Sequence, residues 1–229
     1  MGIQERKERE KEARVNEILR AAEEVFFEKG LQSATMDEIA EAAELSKGTL
    51  YLYYKSKEDL YLAVAMKGSA ILYDMFVAGT SSGEPVLKLI MNLGDAYYRF
   101  FKEHRNYFRM YYFLENAEMH TQVSDEMMSR CFQSDSKIWD LVIGLITRAI
   151  NEGELRPDLD PFQAAVILWS NENGLMRQMD RMGEYWHQRM NIDLDATLKM
   201  ANRIILEGMM TEQAKKESAM SHSLPTVNP

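Results

Sequence analysis

Residues 34–57 read ATMDEIAEAAELSKGTLYLYYKSK, and this stretch predicts two short helices joined by a tight turn. Thr35 and Glu38 have the T-x-x-E spacing of a capping box, so we expect one helix to begin immediately after Thr35. The segment 44–46 interrupts the helical pattern, and Ser46 can cap a second helix. The stretch is therefore typical of a helix-turn-helix.

The second helix of this pair has an apolar face and a polar face. Leu50 and Tyr54 lie one turn apart and can join Leu45 in a small core. The opposite face and its margins carry Ser46, Lys47, Thr49, Tyr51 and Tyr53. Hydroxyl groups flanked by lysines suit the major groove of DNA, so this face is predicted to bind DNA.

Residues 46–57, SKGTLYLYYKSK, resemble the second half of the helix-turn-helix in TetR-type transcriptional regulators, which commonly runs SKGTLYxYF-x-SK. Tyr54 stands where Phe is common, and an aromatic ring is kept. The motif-bearing region covers residues 13–60, and the rest of the chain is similar to the family in length and helical texture. The resemblance implies a homodimeric regulator, an operator in DNA, a small-molecule inducer and a dimer interface formed by the two C-terminal helices.

Each residue of the predicted DNA-binding face has an expected role. Thr49 and Tyr51 are expected to contact bases through the hydroxyl and through ring-to-methyl contacts. Phosphate contacts are expected from Thr35, Lys47, Tyr53, Lys55 and Lys57, and from the backbone amides near Ser46 and Gly48. Gly48 has no side chain, so the helix end can approach the DNA backbone closely.

The charge distribution agrees with a localised DNA-binding face. The 229-residue chain has a net charge of −9, and residues 1–57 contain ten Lys/Arg against twelve Asp/Glu. Within residues 44–57, three lysines stand beside one glutamate. Positive charge is therefore concentrated where phosphate contacts need it, while the acidic remainder disfavours indiscriminate binding.

Composition also predicts the compartment. The single cysteine, Cys131, excludes an internal disulfide framework and is expected to be a small buried side chain. A densely charged N-terminus argues against a signal peptide, and the absence of an uninterrupted apolar run of ~18 residues argues against a membrane span. We expect a cytoplasmic protein.

The pattern of apolar residues predicts an all-α fold of about nine helices. Residues 1–57 are expected to form the DNA-binding domain, residues 58–214 a helical ligand-binding and dimerisation domain, and residues 215–229 a disordered tail. Gly30 is expected to end the first helix and Gly183 a later one. The remaining helices are expected at about 57–78, 85–102, 106–117, 124–153, 161–182 and 194–211.

The helical body, residues 58–214, is rich in methionine and in aromatic residues, and nine of the aromatic residues lie within residues 97–113. These rings could simply fill a core, or they could line a cavity for a bulky apolar or aromatic ligand. The expected ligand-binding residues are Tyr73, Tyr97, Phe101, Tyr111, Met127 and Trp169. Polar side chains that could orient a ligand are Arg99, His104, Glu115, Asn116, His120, Asn171, Asn173 and Arg177.

The sequence contains no motif typical of an enzyme, a metal site or a cofactor-binding loop, so none of these is expected. Small and apolar residues on the last two long helices, such as Ala164, Gly174, Trp169 and Ile204, suit close pairing of helices in a dimer. The favoured function is a ligand-responsive repressor on a palindromic operator. The alternatives are a DNA-binding architectural or cell-division adaptor without an inducer, and an all-α enzyme.

Overall fold

The computed structural model describes residues 2–114 and 122–223, and this part is built from helices without a β-strand, as the sequence predicts. Ten helices are present in the described residues. They are α1 (Ile3–Ser33), α2 (Met36–Ala42), α3 (Lys47–Tyr51), α4 (Lys57–Thr80), α5 (Val86–Glu103), α6 (Arg105–Leu114), α7 (Asp125–Asn151), α8 (Pro161–Met190), α9 (Leu194–Met209) and α10 (Glu212–Ser223).

The chain forms two compact units. The first consists of Met1–Leu72 and Glu103–Ser136, and the second of Tyr73–Lys102 and Lys137–Pro229. The boundary between them falls within α4 and within α7. Division of the chain into a DNA-binding domain at 1–57 and a ligand-binding domain at 58–214 stays a prediction.

The first unit is built around the apolar face of α1. Ile18 and Ala22 are fully buried, and the ring of Phe26 meets the ring of Tyr61 on α4 edge-to-face with centroids 5.1 Å apart. Gly30 breaks the regular helix with a left-handed φ of 71°, but α1 continues to Ser33. Gly30 therefore ends the regular part of α1 as predicted, and residues 31–33 form a further helical turn after the kink.

The second unit has a separate core in which α5, α7, α8, α9 and α10 meet. Its buried members are Val86, Ile90, Ile146, Ala149, Leu155, Ala164, Ala165, Leu206, Met209, Met210 and Ala214. A single β-bridge pairs Leu155 with Met210, and the N–H of Arg156 donates to the carbonyl of Met209 at 3.0 Å. These bonds hold the segment after α7 against the end of α9.

Helix α8 starts as predicted but runs eight residues past its predicted end. Asp160 caps it by accepting the N–H of Gln163 at 2.8 Å. Gly183 does not end the helix, because it lies buried against Leu194, where an added Cβ would be 3.0 Å from a side-chain carbon. The end is instead Asn191, which adopts a left-handed φ of 51°.

Helix α10 occupies part of the region predicted to be a disordered tail. Thr211 caps it by accepting the N–H of Ala214 at 3.2 Å, and Ala214 is buried in the core of the second unit. Residues 224–229 of the predicted tail lie outside the described residues, as do residues 115–117 at the predicted end of the sixth helix.

Helix α4 meets the length and composition criteria for a membrane span, although the sequence predicted no such span. More than half of its apolar window, 56%, is buried inside the protein. Because a core helix passes the same criteria, α4 is only weak evidence for a membrane span.

Candidate DNA-binding surface and candidate ligand-binding residues

The predicted capping box fixes the N-terminus of α2. The N–H of Glu38 donates to Thr35 Oγ1 at 3.2 Å, and the N–H of Thr35 donates to Glu38 Oε2 at 2.9 Å. Lys29 Nζ also donates to Glu38 at 2.8 Å. These bonds, first from Lys29 and then from Thr35, lower the pKa of Glu38 to about 2. Any phosphate contact by Thr35 would therefore add to bonds that already hold α2.

The turn between α2 and α3 has the tight geometry of a helix-turn-helix. Glu44 adopts a left-handed φ of 54°, and the N–H of Leu45 donates to the carbonyl of Ala40 at 2.8 Å. Ser46 then caps α3, since its Oγ accepts the N–H of Thr49 at 3.1 Å. The hydroxyls of Ser46 and Thr49 also lie within hydrogen-bonding distance, at 2.8 Å.

Helix α3 ends at Tyr51, so Tyr53 and Tyr54 follow this helix and do not lie on it as predicted. The predicted core positions are nevertheless buried, and the predicted DNA-binding face is largely exposed. Leu50 is fully buried and Tyr54 is buried, whereas Tyr51 is 44% exposed. Ser46, Lys47 and Gly48 are exposed, and Thr49 and Tyr53 are half-buried. Leu52, 84% exposed, was not predicted to contact DNA. The sequence could have indicated it, because Leu52 is an apolar residue that does not fall on the buried side with Leu50 and Tyr54.

The three lysines of this region make contacts within the protein. Lys47 Nζ donates to Asp37 on α2 at 2.9 Å, and this bond raises the pKa of Lys47. Lys57 Nζ donates to the carbonyl of Ala34 at 2.9 Å in a half-buried position. Lys55 is the most exposed of the three, and its contact to the carboxylate of Glu126 is long, at 3.9 Å. An exposed pair at this distance contributes little, so Lys55 is well suited to a phosphate.

The six predicted ligand-binding residues divide between the two units. Tyr111 and Met127 belong to the first unit, and Tyr73, Tyr97, Phe101 and Trp169 belong to the second. Their role in ligand binding stays a prediction. Of the polar residues that could orient a ligand, Glu115, Asn116 and His120 lie outside the described residues.

In the first unit, Tyr111 belongs to a polar cluster that the sequence did not predict. Ser69, on the apolar helix α4, lies 2.6 Å from Tyr111 Oη and donates to Asp135 Oδ1 at 2.8 Å. Cys131 lies one turn before Asp135, with its sulfur 3.7 Å from the other carboxylate oxygen. Burial raises the pKa of Tyr111, of Asp135 and of the Cys131 thiol, the last to about 12. The cluster joins α4, α6 and α7.

In the second unit, the predicted ligand-binding residues differ in burial. Tyr97 is buried, and its hydroxyl donates to Asn173 at 3.3 Å. Phe101 is buried, whereas Trp169 is 41% exposed and meets Trp139 edge-to-face at 6.0 Å. Tyr97 and Phe101 thus lie in the interior, and Trp169 lies on the outer surface of α8.

Trp169 is one of several large apolar side chains that are exposed on α8 and α9. The exposed large apolar residues of these two helices are Phe162, Ile167, Trp169, Met182, Tyr185, Met190, Met200 and Ile204. Exposed apolar side chains on neighbouring helices are typical of a surface that pairs with another protein chain. Ala164, by contrast, is buried within the protomer.

One acidic side chain of α8 has an unusual environment. Glu172 is half-buried and accepts a hydrogen bond from Asn202 Nδ2 of α9 at 2.7 Å. The backbone of Gly94 on α5 lies so close that a Cβ there would be 2.5 Å from Glu172 Oε1. Burial raises the pKa of Glu172 to about 7, with a smaller contribution from Asp95 and against the opposing hydrogen bond from Asn202.

Among the described residues, no three His, Cys, Asp or Glu side chains are grouped closely enough to hold a metal ion. The carboxyl group of Glu172 accepts a hydrogen bond from an amide, and the carboxyl group of Asp135 accepts hydrogen bonds from a hydroxyl and a thiol.

Comparison with known proteins identifies the region around α2 and α3. Residues 18–64 match the family of bacterial regulatory proteins, tetR family. Over 154 residues the chain is 29% identical to the uncharacterised HTH-type transcriptional regulator YhgD of Bacillus subtilis (strain 168), covering 66% of this chain and 76% of YhgD. Over 152 residues it is 26% identical to the HTH-type transcriptional repressor KstR2 of Mycolicibacterium smegmatis (strain ATCC 700084 / mc(2)155), covering 65% of this chain and 70% of KstR2.

Among solved structures, the chain is similar to the transcriptional regulator FadR from Bacillus subtilis in complex with stearoyl-CoA. The TM-score is 0.67 at 18% sequence identity, and the match covers 84% of this chain and 98% of FadR. At this identity the similarity shows a shared fold.

The exposed helix-turn-helix, the all-helical fold and these relatives define a DNA-binding transcriptional regulator. Within it, residues 18–64 are the part that matches the tetR family of bacterial regulatory proteins, and the curated relatives are named as transcriptional regulators of the HTH type.

Proposed function

We propose that this chain is a homodimeric repressor that binds a palindromic operator and is released from it by a small, largely apolar or aromatic molecule. The observation that carries the proposal is the surface of α3. Leu50 in α3 and Tyr54 just after it are buried, while Tyr51 and Leu52 are exposed, and the hydroxyls of Ser46 and Thr49 are paired. A rigid helix with outward hydroxyls, rings and lysines is what reading of the major groove requires.

Thr49 and Tyr51 read bases in this proposal, and Leu52 adds an apolar surface suited to a thymine methyl group. Lys55 binds phosphate, helped by Lys47, Tyr53, Lys57, Thr35 and the backbone near Ser46 and Gly48. The internal bond of Lys57 to Ala34 and that of Lys47 to Asp37 favour Lys55 as the strongest phosphate contact.

A dimer is proposed because one α3 reads too few base pairs for useful specificity. The exposed apolar residues of α8 and α9 supply a surface for it, including Phe162 and Ile204, which are 57% and 60% exposed. Two such protomers would present their α3 helices to half-sites about 34–36 Å apart. Repression is proposed by analogy with the relative KstR2, which is named as a repressor.

The small-molecule part of the proposal rests on the aromatic and methionine content of the body and on the fold shared with FadR, whose structure contains stearoyl-CoA. A regulator of this family works in the cytoplasm and performs no catalysis. Ligand binding needs to change operator affinity by only about 1–3 kcal/mol to be useful in regulation.

The test begins with selection of an operator from genomic DNA fragments. On that operator, Lys55→Ala should lower the slope of log K against log salt by about one, because one phosphate contact is lost. Lys88→Ala is the matched control, since it removes the same charge from an exposed position on α5 in the second unit. An unchanged slope for Lys55→Ala would show that Lys55 does not contact phosphate.

Specificity is tested at Thr49. Thr49→Ala should relax the preference at one base position of the operator, and Thr49→Ser, which keeps the hydroxyl, should retain it if the hydroxyl reads the base. Equal loss of affinity on the operator and on random DNA would remove Thr49 from the set of specificity residues.

The alternative function is a DNA-binding architectural or cell-division adaptor without an inducer. It is distinguished by the response of the operator complex to a panel of apolar, cationic and long-chain acyl compounds. Release by any member supports the repressor, and a complex insensitive to the whole panel favours the adaptor.

A further inference from the structure

The first turns of α4 and α7 are hydrogen-bonded to one another within the first unit. Ser56 precedes α4, and its Oγ accepts the N–H of Asp59 at 2.9 Å. Ser124 precedes α7, and its Oγ accepts the N–H of Met127 at 3.3 Å. The two caps are joined because the N–H of Ser124 donates to Asp59 Oδ1 at 2.7 Å. Ser56 Oγ also donates to the carbonyl of Gln122 at 3.4 Å.

Asp59 is the central member of this junction. It is only 3% exposed, in the first turn of a largely apolar helix. A buried carboxylate is costly unless charge-assisted hydrogen bonds and a favourable dipole compensate it. The N–H of Ser124 supplies such a bond, and the N-terminus of α7 supplies the positive end of a helix dipole. The carboxylate therefore holds the start of α7 in one position.

The junction adjoins the DNA-binding surface in the sequence and in space. Tyr54, whose N–H donates to the carbonyl of Leu50 on α3 at 3.1 Å, is only two residues before Ser56. The cationic side chain of Arg130 on α7 is close enough to Tyr54 to oppose the rise that burial causes in its pKa. The segment after α3 thus lies near α7 at Lys55, which faces Glu126 at 3.9 Å, and it bonds through Ser56 to Gln122 just before α7.

We propose that Asp59 is a positioning residue for DNA binding, which ties the start of α7 to the segment that follows α3. The orientation of α3 is then set by α7 as well as by the covalent link to α4. The inference rests on the proposed function, and it names the contact through which a rearrangement at the start of α7 would reach the DNA-binding surface. Asp59 itself touches no DNA.

The decisive experiment compares Asp59→Asn with Glu58→Gln on the selected operator and on versions with one base pair added to or removed from the half-site spacing. Glu58 is the matched control, because it is the neighbouring carboxylate in the same turn. Asp59→Asn should weaken operator binding by about tenfold, since a charge-assisted bond is lost. It should also reduce the affinity penalty for altered spacing, because α3 is held less firmly. The slope against salt should stay unchanged, and Glu58→Gln should behave as wild type.

A purely structural role gives a different result. The variant would lose thermal stability, but the folded protein would keep wild-type affinity and the wild-type spacing penalty, and this outcome would overturn the inference. If wild-type protein selects no DNA sequence, the proposed function fails together with the inference. If wild type binds its operator and Asp59→Asn has the same affinity and the same spacing penalty as wild type, the inference fails while the proposed function stands.

A second pair of variants approaches the same bond from α7 in case Asp59→Asn does not fold. Ser124→Pro removes the N–H that Asp59 accepts, whereas Ser124→Ala keeps that N–H and removes only the capping hydroxyl. Ser124→Pro should reproduce the relaxed spacing penalty, and Ser124→Ala should not. Equal spacing penalties for the two variants would contradict a positioning role for the bond.

Discussion

The stability of the second unit should depend on pH through Glu172, and Glu172→Gln should remove that dependence. The carboxyl lies between the backbone of Gly94 and the amide of Asn202, which donates to it at 2.7 Å. Glutamine has the same shape and keeps an oxygen that can accept this bond. The substitution therefore changes the charge of the side chain and leaves its packing almost unaltered.

The direction in which stability changes with pH follows from the pKa of Glu172, which burial raises from 4.5 to about 7 in the folded protein. As the pH rises from 4.5 towards 7, the unfolded chain loses this proton while the folded protein keeps it, so the free energy of unfolding falls. Since one pH unit corresponds to about 1.4 kcal/mol, the full rise corresponds to about 3 kcal/mol. Partial contact of the carboxyl with solvent reduces this, and we expect a loss of about 1–3 kcal/mol between pH 4.5 and pH 8.

The assay is urea denaturation of wild type and Glu172→Gln from pH 5 to pH 8 at one fixed protomer concentration, because the stability of an oligomer depends on concentration. The two proteins should differ little at pH 5, and the variant should be more stable by about 1–3 kcal/mol at pH 8. Glu184→Gln, an exposed carboxylate on the same helix, is the control and should follow wild type. A difference between Glu172→Gln and wild type that is the same at every pH would refute the reasoning.

Three further predictions concern packing, assembly and reactivity. Gly68→Ala places a Cβ 2.9 Å from the Cβ of Tyr107 and should lower the free energy of unfolding by about 1–3 kcal/mol. Gly144→Ala meets no atom within 4 Å and should raise the free energy of unfolding by up to about 1 kcal/mol. Equal effects of the two variants in denaturant titrations would be inconsistent with a tight crossing of α4 and α6. Ile204→Asp adds a charge to an exposed apolar position of α9. It should convert the proposed dimer to a monomer in analytical ultracentrifugation, with the helical content unchanged. A dimer that persists would show that Ile204 does not lie in the dimer interface. Cys131, with a pKa raised to about 12 by burial, should react with a thiol reagent at pH 8 far more slowly than in denaturant, and equal rates would show that the thiol is accessible.

The helix-turn-helix could be predicted from the sequence because its determinants are local. Thr35 and Glu38 are three residues apart, as are Ser46 and Thr49, and both caps form as the spacing predicts. The burial of Leu50 also follows from helical periodicity. Propensity and capping decide such features within a few residues, so no knowledge of the remaining chain is needed.

Features that depend on distant residues could not be predicted in this way. Gly183 looked like a helix end, but its contact with Leu194 makes it a point of close approach inside a longer helix. Asp59 stands in the first turn of α4, and its partner Ser124 is 65 residues away, so no local pattern in the sequence predicts their bond. The same holds for ligand-binding residues, because side chains of several helices must converge and helical periodicity specifies only one face of one helix at a time.

The most direct test of the central claim is the affinity of wild-type protein for its selected operator relative to a scrambled duplex of equal length, measured by fluorescence anisotropy at one salt concentration. The proposed function predicts two protomers for each operator and a preference of about a thousandfold or more for the operator. Equal affinity for the two duplexes, or one protomer for each operator, would contradict it.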